Sequence, residues 1–484
     1  MRKKVVSGMF WSSIQRTGMI TISFVGNLIF AHLLSPDDFG CIGLLSVFIV
    51  VSETFIDGGF GAALLQKKSP TNRDYSTIFF WNIIVAVFCY LCLLLAAPHI
   101  AKFYKIELLK QVLPFIGLVL ILNAFSVIQV NQLMKKMLFK KMTPIYLIAH
   151  IIGITVGCIA AFFGYGVWSL VLQQLLIALI IDILLWKLCE WRPIWCFDLT
   201  SFKSLFSYGS LVLLTNLIQN IYNNLSSLII GRVFSTHTLG YYTQARKLVD
   251  VPVNALSQIV NQVTFPFYAN YQDNIEQLRE SMRKSLKVIA FLNFGLMALL
   301  VVLAPSVFDL LFGEKWASSI PLFQLLCIAY MLYTITTTNM NAIRATGRSD
   351  IVFYGQVVKK SVGLIVLLIG VCYGLYGLMI ALIVDMYLHV LINSFLARKV
   401  LKYKISLQFS DLFGTYILSI LTFGIVYFFT KSLHFHAGIL LLFQFVLFTL
   451  FYIVIAHVVK NEGYILIKDI VLEKFYKSKY ICKH

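Results

Sequence analysis

Long, continuously apolar blocks alternate along the chain with short polar connections. A membrane-crossing helix needs about 20 mainly apolar residues. The pattern predicts such helices near 9–33, 39–65, 76–97, 112–134, 143–163, 167–186, 204–230, 240–268, 288–308, 319–343, 352–371, 376–396, 412–430 and 437–458. An outer-membrane barrel is excluded, because its strands alternate apolar and polar positions over about ten residues. The expected fold class is therefore an all-α polytopic membrane protein of about fourteen helices. The blocks over 204–268 are the most polar, and hydropathy marks them weakly. Connections do not exceed about twenty residues, which leaves no room for a soluble catalytic domain and argues against an enzyme.

The pattern repeats. "LLSPDDFGCIGLL" at 33–45 aligns with "VFSTHTLGYYTQA" at 233–245, pairing Ser35 with Ser235 and Gly40 with Gly240, and Ser7 matches Ser207 at the same offset of 200. "GYGVWSLVLQ" from 164 aligns with "LYGLMIALIV" from 375. These matches fall at equivalent turns of the helix order, so they predict two six-helix lobes, 1–200 and 201–400, and a final region of two extra helices and a basic tail, 401–484. A repeat of six helices preserves orientation, which puts the pseudo-two-fold axis along the membrane normal.

Composition changes the picture only through where the charges lie. A net charge of +19 would suit nucleic acid. Of the 40 Lys and Arg residues, however, 29 fall in alternate connections and termini, against 6 in the opposite set. That asymmetry is the positive-inside signature, with both termini cytoplasmic, and anionic lipid headgroups rather than nucleic acid are the expected contacts. The nine cysteines form no CxxC pair and read as small core residues, which leaves no metal or cofactor site. The basic start "MRKKVVSGMF" resembles a signal peptide, but Arg16 interrupts the apolar run, so an uncleaved first span is expected.

Five basic residues remain inside spans: Arg16, Arg246, Lys247, Lys359 and Lys360. They accompany polar stripes at helical period. Asn216, Gln219, Asn220, Asn223 and Asn224 follow one face of the seventh span. Lys247, Asp250, Asn254, Gln258 and Asn261 fall within about 80° on the eighth, and Ser12, Arg16, Ser23 and Asn27 within about 60° on the first. Ser46, Glu53 and Asp57 share a face of the second span, and Thr334, Thr338 and Asn341 one of the tenth. Single polar groups glue membrane helices together. Whole stripes need more partners than neighbouring helices supply, and a water-filled cavity between the lobes supplies them.

Depth sets the candidate pairs. Arg16 lies about 18 Å beyond Lys4 and Asp57 about 15 Å before Lys67, so an ion pair from Arg16 to Glu53 or Asp57 is available. That pair would be a structural lock or an ion-coupling relay; the two carboxylates repel if both ionise. Arg246 and Asp250 form an i, i+4 pair, Asp385 is placed to balance a lysine of the eleventh span, and Asp182 is expected to reach the inner interface. At least one of Lys359 and Lys360 is expected to face the cavity, because adjacent side chains diverge by about 100°. The resulting basic surplus suits a phosphate or acidic sugar.

With these residues in view, "LLSPDDFGCIGLLSVFIVVSETFIDGGFGAALLQKK", "YSTIFFWNIIVA", "GYGVWSLVLQ", "SFKSLFSYGS", "YNNLSSLIIGRVFS", "LGYYTQARKL", "VTFPFY", "GEKW" and "GRSD" together resemble the bacterial polysaccharide-repeat flippases, notably the colanic-acid-exporter-like branch, over residues 1–400. The resemblance implies the multidrug/oligosaccharidyl-lipid/polysaccharide exporter fold. It also implies an undecaprenyl-pyrophosphate-linked oligosaccharide substrate turned across the inner membrane by alternating access, coupling to a proton or sodium ion, and a polysaccharide polymerase complex as a partner. The family's association of cavity basic residues with anionic lipid-linked sugars falls by position on Arg16, Lys247, Lys359 and Lys360; Arg246 and the stripe residues Asn216, Asn220, Asn223 and Asn254 join them as substrate-binding candidates, and the intramembrane carboxylates Glu53, Asp57, Asp250 and Asp385 are the ion-coupling candidates. The alternative is a cation-coupled multidrug antiporter of the same fold, which would favour carboxylates over basic residues in its cavity.

Overall fold

A computed structural model describes residues 2–433 and 435–481, and every regular element among them is helical. The chain runs α1 (Arg2–Leu33), α2 (Pro36–Asp57), α3 (Phe60–Gln66), α4 (Asn72–Tyr104), α5 (Leu108–Lys135), α6 (Phe139–Phe162), α7 (Val167–Leu188), α8 (Leu199–Val233) and α9 (Thr236–Ala269). It continues through α10 (Ile275–Leu311), α11 (Ser319–Tyr330), α12 (Tyr333–Ala345), α13 (Ser349–Val371), α14 (Gly374–Leu401), α15 (Ile405–Lys431), α16 (Ala437–Val458) and α17 (Glu462–Ile481). Eleven stretches are long and apolar enough to cross a membrane, with α2–α3 and α11–α12 each counting as one interrupted crossing. The chain is a multi-pass membrane protein. Helices α1, α8 and α9 are as long, at 32, 35 and 34 residues, but are not among the eleven. They carry three of the polar stripes, and the expected count of fourteen crossings rests on them.

Local sequence explains where helices start and break. Ser35 and Asp38 form a reciprocal capping box at the start of α2, where Pro36 fills a position whose amide has no helical acceptor. Thr71 and Asp74 do the same for α4. At the start of α9, Ser235 Oγ accepts from the Thr238 amide at 3.1 Å, two hundred residues after the Ser35 cap. The break between α2 and α3 falls at Gly58 and Gly59, with φ of +55° and +71°. This left-handed conformation is costly for a residue with a Cβ.

The chain divides into two compact units, Met1–Thr243 and Gln244–His484. In the first, α1 packs on α6, α5 on α4 and α7, and α8 on α2 and α3. Phe60 and Leu64 of α3 are buried with Tyr75, Ile78, Phe79, Ile128 and Leu205, and Trp81, Trp186 and Phe202 pack around them. In the second unit α13 pairs with α14, while α10 carries α15, α16 and α17. Large apolar side chains such as Leu95, Phe162 and Phe428 are more than 70 % exposed, which suits lipid and would be a liability in water.

The last region is tied in by charge. Asp411 of α15 receives Arg283 of α10 in a two-pronged pair, Nε to Oδ2 at 2.8 Å and Nη2 to Oδ1 at 2.9 Å, and Tyr403 Oη at 2.5 Å. Lys287 bridges the Asp411 carboxylate at 3.0 Å and also bonds Glu462 at the start of α17. The basic tail region thus contains a helix anchored at its first residue.

Candidate functional site

In the first unit Arg16 is exposed on α1 beside exposed Ser12 and Ser23, and Asn216 and Asn223 are exposed on α8. Gln219 Nε2 donates to Asn223 Oδ1 at 2.8 Å, and Asn220 Nδ2 reaches across to Thr54 Oγ1 of α2 at 2.8 Å. The α8 stripe therefore divides its work: Asn220 holds α8 to α2, while Asn216 and Asn223 stay open to solvent or ligand.

The pairing that depth made available for Arg16 does not form among the described residues. Glu53 instead accepts from Asn123 Nδ2 of α5 at 2.7 Å. Asp57 lies against the amides of Gly59 and Gly61 at the α2–α3 break. One of its oxygens stands 2.8 Å from where a Cβ on Gly61 would be. Direction explains the outcome: α2 packs against α5, whereas α1 packs on α6. Depth along a helix does not fix the azimuth of its side chains. Asn123 was the missed residue, and its signal was a lone amide inside the apolar run "GLVLILNAFSV". Lys135 was missed as well; its Nζ caps the end of α3 through the carbonyls of Leu64 at 2.9 Å and Leu65 at 3.1 Å, and that of Lys67.

In the second unit Lys247 and Asn254 are exposed on α9. Arg246 pairs with Asp250 at 3.6 Å along the same helix. The tenth-span stripe is buried: Thr334, Thr338 and Asn341 are at most 2 % exposed, and Asn341 Nδ2 donates to Asn261 Oδ1 at 2.8 Å and Thr264 Oγ1 at 3.0 Å. Those groups fasten α12 to α9. Asp182 of α7 is buried and hydrogen-bonded with Ser126 of α5 rather than reaching an interface.

Lys359 is 4 % exposed, while its neighbour Lys360 is half-buried. Around Lys359 the helix pair α13–α14 places Asp385, itself 1 % exposed, within electrostatic range. His389 Nε2 stands 3.2 Å from Asp385 Oδ1, one turn along α14, and the ring meets the Lys359 main chain. His389 was not singled out in the sequence, although its i, i+4 spacing from Asp385 was legible. No group of three or more His, Cys, Asp or Glu side chains suited to a metal occurs among the described residues.

Relatives share the chain at low identity. It is 27% identical over 354 residues to the teichuronic acid biosynthesis protein TuaB of Bacillus subtilis, covering 73% of each chain. It is 27% identical over 377 residues to the lipopolysaccharide biosynthesis protein WzxC of Escherichia coli, covering 76% of each. Among solved structures it superposes on a lipid II flippase, MurJ in an inward closed conformation, with a TM-score of 0.76 at 14% identity, covering 96% of this chain and all of that one. An inward-facing multidrug resistance transporter of the MATE family matches with a TM-score of 0.63 at 15% identity, covering 80% of this chain and 98% of that one. These neighbours establish the two-lobe exporter fold. The family model described as "Polysaccharide biosynthesis protein" matches residues 29–321, more than half of the sequence, and the chain belongs to that family.

Proposed function

We propose that the protein is a flippase. It moves undecaprenyl-pyrophosphate-linked oligosaccharide repeat units from the cytoplasmic to the outer leaflet of the bacterial inner membrane by alternating access, with both termini cytoplasmic. The observation that carries this reading is the exposed polar and basic faces on helices of membrane length: Arg16 with Asn216 and Asn223 in the first unit, Lys247 with Asn254 in the second. Arginine and lysine at such depth are costly without a ligand or water, and a pyrophosphate is the ligand they suit. The names of TuaB and WzxC, both polysaccharide biosynthesis proteins, support the same substrate class.

The lobes assigned from the repeat, 1–200 and 201–400 with 401–484 appended, belong to this reading, as does a polymerase complex that receives the flipped unit. Ion coupling is assigned first to Asp385 with Lys359 and His389, where three ionisable groups are packed together inside a helix pair. Asp250 beside Arg246, Glu53 and Asp57 form a second tier, each already holding a local partner. The coupled ion is a proton or sodium. A multidrug antiporter shares the fold, but exposed basic residues on the polar faces disfavour a cationic cargo.

The test is Arg16→Ala, Lys247→Ala and their combination in a strain lacking the native copy. A charge-assisted hydrogen bond contributes about 1.5–3 kcal/mol, so each substitution should weaken substrate binding by roughly ten- to a hundred-fold. Surface polymer should fall and lipid-linked repeat units should accumulate. Normal polymer from the double variant, with the protein present in the membrane, refutes the basic-face reading.

A further inference from the structure

The 200-residue repeat contains a contact with itself. A Cβ on Gly40 of α2 would stand 2.0 Å from the carbonyl oxygen of Thr236, and a Cβ on Gly240 of α9 would stand 1.9 Å from that of Pro36. A Cβ on Gly43 would lie 3.3 Å from Cβ of Thr243. Positions 36, 40 and 43 correspond one for one to 236, 240 and 243. Residue i thus meets the repeat equivalent of j, and j that of i, as in a two-fold interface. No side chain intervenes between the backbones; only glycine permits this approach.

A second backbone contact lies at the other end of α2. A Cβ on Gly59 would stand 2.2 Å from the Gly209 carbonyl of α8, and one on Gly209 would stand 2.9 Å from the Gly58 carbonyl. Gly59 is also the left-handed residue at which α2 breaks into α3. Helix α2 thus meets α8 and α9 backbone to backbone at both ends, which fixes the distance to which each contact closes.

We propose that the reciprocal Gly40–Gly240 contact is the outer closure of the transport cycle and the Gly59–Gly209 contact the inner one, each parting in a different half of the cycle. The inference rests on the flippase reading and its orientation. The Gly58–Gly59 break is the joint between α2, which packs on α5, and α3, which packs on α8.

The experiment locks the outer contact with Gly43→Cys and Thr243→Cys. Their Cβ separation approaches the about 3.5–4.5 Å of disulfides. Gly240→Ala is a second test at the same contact, used if the first pair lacks activity when reduced: its Cβ would overlap the Pro36 carbonyl, so it should hold the contact open and cut polymer without oxidant. Cells lacking the native copy receive oxidant and then reductant. Cross-linking is read by gel mobility, and polymer synthesis and lipid-linked repeat units are read in parallel. Oxidation should form the bond, cut new polymer at least tenfold and raise lipid-linked repeat units, and reductant should reverse all three. Each single-cysteine variant should be indifferent to oxidant. A fully cross-linked protein that exports at the reduced rate overturns the closure, and so does failure of the pair to cross-link or normal polymer from Gly240→Ala present in the membrane. A deletion strain with unaltered polymer and unaltered lipid-linked intermediates would instead overturn the flippase reading itself.

Discussion

Removing the Asp385 carboxylate should separate packing from coupling in the α13–α14 cluster. Asp385 and Lys359 are 1 % and 4 % exposed, so Asp385→Asn removes a carboxylate that acts electrostatically on a buried ammonium. A contact pair broken from one side costs about 3–5 kcal/mol, which is the upper bound for this loss. Neutralising both, as Asp385→Asn with Lys359→Met, should restore most of that loss, because a buried pair contributes little against a well-packed apolar substitute. Stability alone therefore identifies the pair. Function must identify its role.

His389 supplies the second measurement. At 3.2 Å from Asp385, a charged imidazole is attracted by about 5 kcal/mol at an effective dielectric of about 20, an attraction that a neutral ring lacks. One proton thus changes the cluster by several kcal/mol. Lys359 and Lys360 of α13 and Arg344 of α12 also act on this cluster, and the two lysines oppose a charge on His389. The assay is thermal unfolding in detergent together with flipping of lipid-linked oligosaccharide in vesicles under an imposed pH or sodium gradient. The double-neutral variant should melt near the wild type, yet flip at a rate indifferent to the gradient. A stable double variant that keeps its gradient dependence refutes coupling and returns the cluster to packing.

Two further outcomes follow from the hydrogen-bond geometry. Glu53→Gln should leave the contact to Asn123 in place after amide reorientation and cost under about 1 kcal/mol, whereas Asn123→Ala strands the carboxyl group and should cost about 1–3 kcal/mol; equal losses in melting experiments would contradict this assignment. Asp411→Ala leaves Arg283, Lys287 and Tyr403 without their shared acceptor and should lower stability by about 3–5 kcal/mol. Lys287→Ala, which removes the bond to Glu462, should raise proteolysis within α17, and an unchanged digestion pattern would show that this anchor does not hold that helix.

Helix order and approximate limits were legible because lipid imposes one requirement, twenty apolar residues with internally bonded backbones, that leaves a strong trace in the sequence. Pairing was legible only within a helix. The Arg246–Asp250 contact follows from i, i+4 spacing, and Ser35 with Asp38 follows from capping chemistry. Partners on different helices were not legible. Glu53 meets Asn123, seventy residues away, because α2 turns that face to α5, and nothing in either segment encodes the rotation. The buried tenth-span stripe shows the same limit: Thr334, Thr338 and Asn341 have the period of a cavity face, and tertiary packing decides that they are helix glue.

The segment "VSETFIDGGFGAALLQKK" joins these observations. Its two carboxylates serve different elements: Glu53 ties α2 to α5, and Asp57 turns into the break that the next two glycines create. A carboxylate against the amides of Gly59 and Gly61 holds α3 in register without a side chain from another helix. Lys135 caps the far end of α3, and Phe60 and Leu64 bury it. Helix α3 is thus a short rigid piece joined to α2 by two left-handed glycines. If the inner contact parts at Gly209, that joint is where the motion is absorbed, since α2 itself is pinned to α5 through Glu53, and the Thr54–Asn220 bond to α8 must release with the contact. Gly58→Ala tests the argument separately from the cross-link. A left-handed alanine costs about 1–2 kcal/mol, so the protein should remain folded while the joint stiffens. Slower flipping with unchanged substrate binding supports the hinge, and an unchanged flipping rate in a folded variant removes it.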